Sequence, residues 1–126
     1  MSTQVCEAEF LVACLCAAWC GTCREYRDGF DALQIRFPEV GFAWIDVEEQ
    51  AEVADELDVE NFPTLVIQRG KRVLFCGPML PQHFLLERLI ETFLAQSEET
   101  SAAYAVGTAE RRSWQDVADI RSRLPQ

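Results

Sequence analysis

Basic residues are scarce in this chain. Lys and Arg number 11 against 21 Asp and Glu, giving a formal net charge of −10. Such a balance repels polyanions, so neither nucleic acid nor an anionic membrane surface is an expected partner. A long apolar run is also missing. The stretch from Phe10 to Cys20 is about half of the ~20 residues that span a bilayer. Met1 to Phe10 carries Glu7 and Glu9 and no Lys or Arg, unlike the basic start of a secretory signal. The same lack argues against reading Leu11-Val12-Ala13-Cys14 as a lipoprotein acylation box. No internal repeat or low-complexity tract is visible. A soluble cytoplasmic protein is the expectation, and 126 residues suit one domain better than two.

What is present is a sizeable apolar fraction, 49% of the chain, and six cysteines. The first is enough for a real core, so the cysteines are not needed as staples. Their placement agrees: Cys6, Cys14, Cys16, Cys20 and Cys23 crowd the start and only Cys76 lies far away. A disulfide framework ties distant segments together, which this set cannot do beyond Cys76. In a reducing compartment most would be free thiols, and the question becomes which of them react.

Patterning gives the order of elements. FLVACLCAA after Glu9 is apolar at every position, as in a strand buried on both faces. After Cys20-Gly21-Thr22-Cys23, the spacing of Tyr26, Phe30, Leu33 and Phe37 predicts a helix that Pro38 ends. Gly41 to Val47 is a second strand. Asp46 or Glu48 can cap a short helix with Ala51, Ala54 and Leu57 inward. Thr64 to Gln68 and Arg72 to Cys76 flank Gly70 as an antiparallel hairpin, with Gly77-Pro78 breaking the chain. Gln82 to Leu94 is an amphipathic helix. Gln96 to Thr108 reads as a loose linker. Ser113 with Asp116 resembles a capping box opening a last helix that carries Trp114, Val117, Ile120 and Leu124. The plan is α/β, with a central mixed sheet flanked by helices. The division expected is a main domain over 1–95 and a linker with helical extension over 96–126.

The chemistry centres on Cys20 and Cys23. A C-x-x-C placed after a buried strand and at the start of a helix is a redox arrangement. The helix start offers unpaired N–H groups and a positive dipole end, which favour thiolate over thiol at the first cysteine. Cys23, one turn in, can reach back to resolve a mixed disulfide on Cys20. The same motif could supply half of a tetrahedral zinc site. Its partners would have to come from Cys14, Cys16, Cys76 and His83. Cys14 and Cys16 share one strand face, a poor chelating arrangement beside a helix, so no metal is expected.

From Glu9 to Leu94 the sequence resembles the thioredoxin superfamily. The resemblance rests on Ala18-Trp19-Cys20-Gly21-Thr22-Cys23, Ile45-Asp46-Val47-Glu48, Phe62-Pro63-Thr64 and the later Gly77. It implies a thioredoxin-like fold with a truncated N-terminus and an extra C-terminal helix. The implied activity is thiol–disulfide oxidoreduction of protein disulfides, with Cys20 and Cys23 catalytic. Trp19, Gly21, Thr22, Phe62, Pro63 and Gly77 would form the substrate-facing surface, with Pro63 following a cis peptide bond. No bound cofactor is implied; electrons would come from a partner reductase or a small thiol. The chain departs from the family in having Thr22 where proline is usual, Cys14 at the position of a buried acid, and Trp44 at that of a lysine. A binding or chaperone module whose cysteines are regulatory or vestigial is the alternative. The 96–126 extension is expected to cover a sheet edge or mediate a homodimer. Cys14 and Cys16 are expected to act as buried small hydrophobes, Cys76 to be inert, Cys6 to be accessible, and His83 to be an exposed bystander.

Overall fold

The computed structural model describes residues 8–17, 20–54, 57, 59, 63–79 and 82–124. Among them the elements run β1 (Phe10–Cys16), α1 (Gly21–Arg36), β2 (Gly41–Asp46), α2 (Ala51–Ala54), β3 (Thr64–Arg69) and β4 (Arg72–Pro78). Three further helices follow, α3 (His83–Leu94), α4 (Glu98–Ala105) and α5 (Ala109–Val117), before a closing 3-10 turn at Arg121–Arg123. The sheet order is β2-β1-β3-β4. β1 runs parallel to β2 and antiparallel to β3, and β4 returns antiparallel on β3. This is the mixed α/β sheet that the patterning implies.

Every residue of β1 is buried, because the strand is interior to the sheet and covered on both faces. Phe10, Val12, Cys14 and Cys16 join α1 (Cys23, Tyr26, Phe30, Leu33) and α3 (Leu86, Ile90, Phe93) in one core. Leu11, Ala13 and Leu15 join Ile45, Val66, Val73, Ala118 and Ile120 in a second core on the opposite face. α1 and α3 sit close together. A Cβ on Gly29 would fall 2.5 Å from His83 Nδ1, and Arg36 bridges to Glu87 at 2.8 Å and Glu91 at 3.1 Å.

The C-terminal segment explains a polar residue inside an apolar strand. Gln68 is fully buried, yet its Nε2 donates to Asp119 Oδ1 at 2.8 Å and its Oε1 accepts from the Arg121 N–H at 3.0 Å. Buried amides need such partners, and residues beyond α5 provide them.

Three local expectations change. The segment read as a loose linker contains α4, because Ser97 Oγ accepts from the Thr100 N–H at 3.1 Å and Glu98 and Glu99 occupy the favourable first turn. α5 opens at Thr108, whose hydroxyl accepts from the Arg111 N–H at 3.0 Å. Ser113 is interior to that helix and donates to the Glu110 carbonyl at 2.6 Å, so its spacing to Asp116 is not a cap. Finally, β4 does not stop at Cys76 but continues through Gly77 and Pro78, with Thr64 opposite Pro78. Proline is tolerated there because β4 is an edge strand.

Candidate redox site

The site forms where β1 ends and α1 begins. Cys20 is the N-cap of α1 with extended backbone. Its N–H donates to the Ala17 carbonyl at 3.0 Å and its own carbonyl accepts from the Arg24 N–H at 3.2 Å. Among the described residues no side chain caps this end, and the first turn of α1 holds no acidic residue, so the positive helix terminus lies beside a half-buried sulfur. Gly21 is exposed, Thr22 half-buried and Cys23 buried.

Cys23 is bonded to Cys16 in a disulfide, with a Cα separation of 5.8 Å. Cys14 Sγ lies 3.6 Å from Cys16 Sγ. Cys16 is thus buried as expected, but it is not an inert hydrophobe. The C-x-x-C spacing directs attention to Cys20 as the only neighbour of Cys23. The alternative signal was periodicity. Cys14 and Cys16 lie on the β1 face that meets α1, and Cys23 begins the inward stripe continued by Tyr26, Phe30 and Leu33.

The surroundings are dry. Burial pushes the Cys14 thiol up beyond the range in which it ionises, with the Arg27 guanidinium acting in the opposite direction. Burial pushes the Tyr26 phenol up likewise, and an ionised Cys14 would push it further. Its buried hydroxyl has no hydrogen-bond partner among the described residues. The position of the family's lysine holds Trp44, and Arg27 lies over that ring at 4.6 Å. A cation therefore does reach this neighbourhood, from α1 and not from β2. A cleft of 430 Å³ opens beside Cys23, lined by Ala17, Arg24, Arg27, Trp44 and Asp46 among others.

Pro63 is buried at the head of β3, and its carbonyl accepts from the Met79 N–H at 3.1 Å. The pairings Leu15–Thr64 and Thr64–Pro78 put Pro63 at the same sheet end as Cys16. Gly77 lies opposite Leu65; a Cβ there would make an ordinary 3.7 Å contact with Phe75, so space alone does not demand glycine. Trp19, Phe62 and Cys6 lie outside the described residues. Cys76 packs on the second core, across the sheet from Cys14, Cys16 and Cys23, and burial followed by Glu110 pushes its thiol up to about 11. His83 is exposed and packs on Gly29. Among the described residues, no group of three or more His, Cys, Asp or Glu is placed to hold a metal ion.

A mixed sheet with a C-x-x-C at a strand-to-helix junction defines the thioredoxin-like class. Comparison with known proteins gives the family: the thioredoxin family model matches residues 2–79, and the chain belongs to that family. "Thioredoxin H-type" of Picea mariana is 47% identical over 58 residues, covering 45% of this chain and 46% of that protein. "Putative thioredoxin 2" of Streptomyces coelicolor is 28% identical over 102 residues, covering 80% and 76%. The matched part spans about half the length of the first plant relatives. Among solved structures, Fasciola hepatica thioredoxin superposes with a TM-score of 0.63 at 28% identity, covering 69% of this chain and 83% of that one. Thioredoxin from Trypanosoma brucei brucei superposes at 0.66 with 24% identity, covering 73% and 80%, a likeness of fold. No helix among the described residues is long and apolar enough to cross a membrane.

Proposed function

We propose that the chain is a thiol–disulfide oxidoreductase acting on protein disulfides. The observation that carries this reading is Cys23 held in a disulfide at the strand–helix junction while Cys20, the helix N-cap, keeps a solvent-reached free sulfur. The Cys20 thiolate attacks one sulfur of a substrate disulfide, forming a mixed disulfide and expelling a substrate thiolate. Cys23, in its reduced form, then attacks Cys20 Sγ. A Cys20–Cys23 disulfide forms, the second substrate thiolate leaves, and two electrons have passed to the substrate. A reductase or small thiol returns the pair to dithiol.

In this reading Trp19, Gly21, Thr22, Phe62, Pro63 and Gly77 make the low apolar surface on which an extended substrate lies. The common sheet end of Pro63 and Cys16 supports that assignment. Arg27 over Trp44 supports a cationic contribution near the buried cysteines that the family places on the next strand.

A second reading, a binding module with regulatory cysteines, is favoured by one observation: Cys16 occupies the sulfur of Cys23 that resolution needs. Reduction of insulin disulfides with dithiothreitol as donor separates the two. The oxidoreductase reading expects turnover that Cys20→Ser reduces to the uncatalysed rate. Absence of turnover by the intact, folded chain favours the binding module.

A further inference from the structure

Four sulfurs descend from surface to core at the β1–α1 junction. Cys20 is half-buried at the N-cap. Cys23 and Cys16 are each 1% exposed, and Cys14 is 0% exposed. Cys16 is joined to Cys23 and lies 3.6 Å from Cys14. Cys23 is therefore placed where two different cysteines have a claim on it: Cys20 three residues before it along the chain, and Cys16 across the strand–helix contact.

We propose that Cys16 and Cys23 form a second, buried redox pair that exchanges with the Cys20–Cys23 disulfide. This rests on the reading that Cys20 and Cys23 cycle as the working pair. The step is an internal thiol–disulfide exchange. The Cys16 sulfur attacks Cys23 Sγ, and its proton passes to the departing Cys20 sulfur. The Cys23–Cys16 bond forms as the Cys23–Cys20 bond breaks, and the electron pair leaves on Cys20. Nothing is oxidised or reduced overall, so no external reactant is required. The disulfide moves inward by one partner.

Two physical terms drive it inward. A disulfide is uncharged and tolerates the dry core, whereas a buried thiol cannot ionise at low cost, as the upward push on neighbouring Cys14 illustrates. The exchange also leaves the free sulfur half-buried at the start of α1, where solvent and a substrate disulfide reach it. With Cys16 already bonded, the Cys14 thiol is the partner that carries a hydrogen in the 3.6 Å contact.

The consequence is a change in reaction mode. With the disulfide inward, Cys20 still attacks substrates but Cys23 no longer resolves them. A Cys20 mixed disulfide then persists until a reductant opens the buried pair. The chain would alternate between dithiol turnover and single-thiol capture of its partners, according to how oxidised its surroundings are.

The test is residue-resolved disulfide assignment. The protein is oxidised with one equivalent of a small disulfide and acid-quenched. Free thiols are alkylated, and labelled positions are read by fragmentation mass spectrometry. In the unmodified sequence, label is expected on Cys20 in most once-oxidised chains, with Cys16 and Cys23 protected. Cys20→Ser is expected to form the Cys16–Cys23 bond still. Cys16→Ala is expected to hold the disulfide at Cys20–Cys23 and to turn over insulin faster than the unmodified chain, because the inward step is gone. Label on Cys16 in every oxidised chain, with Cys20→Ser remaining fully reduced, overturns the second pair. Failure of folded Cys16→Ala to form a Cys20–Cys23 bond sinks the working pair instead, and Cys20→Ser still reports on the inner one.

Discussion

The side-chain amide of Gln115 pairs with both backbone groups of Val73. Its Oε1 accepts from the Val73 N–H at 2.8 Å, and its Nε2 donates to the Val73 carbonyl at 2.9 Å. One side chain on α5 thus does what a further strand would do for the free edge of β4, which an unprotected sheet leaves open to other chains. Gln115→Ala removes both partners at once. Stranded backbone groups cost about 1–3 kcal/mol when buried, so a loss of about 2 kcal/mol is expected by urea denaturation. A concentration-dependent tendency to self-associate is expected with it. An unchanged midpoint would mean that water replaces the amide without penalty.

Gly29 is required by its neighbour. A Cβ there would approach His83 Nδ1 to 2.5 Å and His83 Cβ to 2.8 Å, and the latter cannot swing away. Overpacking costs about 1–3 kcal/mol, against about 1 kcal/mol that alanine gains over glycine in a helix. Gly29→Ala is therefore expected to lower stability by about 1 kcal/mol. Shortening the opposing side chain with His83→Ala in the same chain should restore it. A stabilised single variant would contradict the close α1–α3 contact.

Tyr26 makes the opposite case. Its hydroxyl is buried with no partner among the described residues, and a buried polar group left unsatisfied costs about 1–3 kcal/mol. Tyr26→Phe keeps the ring against Phe30 and deletes the oxygen. A gain of about 1 kcal/mol in thermal or urea unfolding is the expected result. A loss would mean that the oxygen has a stabilising contact.

Cys76 gives an alkaline limit. Its thiol is raised from near 9 to about 11 in the folded protein, so the unfolded chain ionises first as pH climbs. The folded state then binds more protons than the unfolded one, and stability falls with rising pH. The contribution is intact below about 9 and lost through about 11. Cys76→Ala should flatten that part of the pH–stability curve. At pH 8, a rise of two units leaves on the order of 100-fold less thiolate than in a free cysteine, so Cys76 should label slowly while Cys20 labels early.

Much of this was legible in the sequence because local signals and tertiary demand agreed. FLVACLC reads as an interior strand, and the stripe of Tyr26, Phe30 and Leu33 faces that strand. Where the signal was local but tertiary contacts decided, the reading failed. Ser113 matched a cap pattern, yet the true cap is Thr108, five residues earlier, and Trp114 packs on Phe75 from the middle of the helix. α4 carries no apolar stripe of its own; it is fixed by its cap and by Ser101 and Ala105 buried beneath it. At the site, Cys20 and Cys23 were visible from spacing and context. For Cys16 and Cys23, periodicity places both on the β1–α1 contact, but which sulfurs meet there depends on the packing angle of strand and helix. Gln68 looked like a strand end; only the return of Asp119 and Arg121 explains its burial.

A redox titration tests the redox activity of Cys23 most directly. The protein is equilibrated in a glutathione or dithiothreitol buffer series, alkylated, and each cysteine scored by mass spectrometry. One reversible two-electron transition is expected, near or below a cytosolic poise of roughly −220 to −320 mV, in which Cys23 loses its free thiol together with Cys20 or Cys16. Cys23 remaining fully alkylatable at every poise would contradict it.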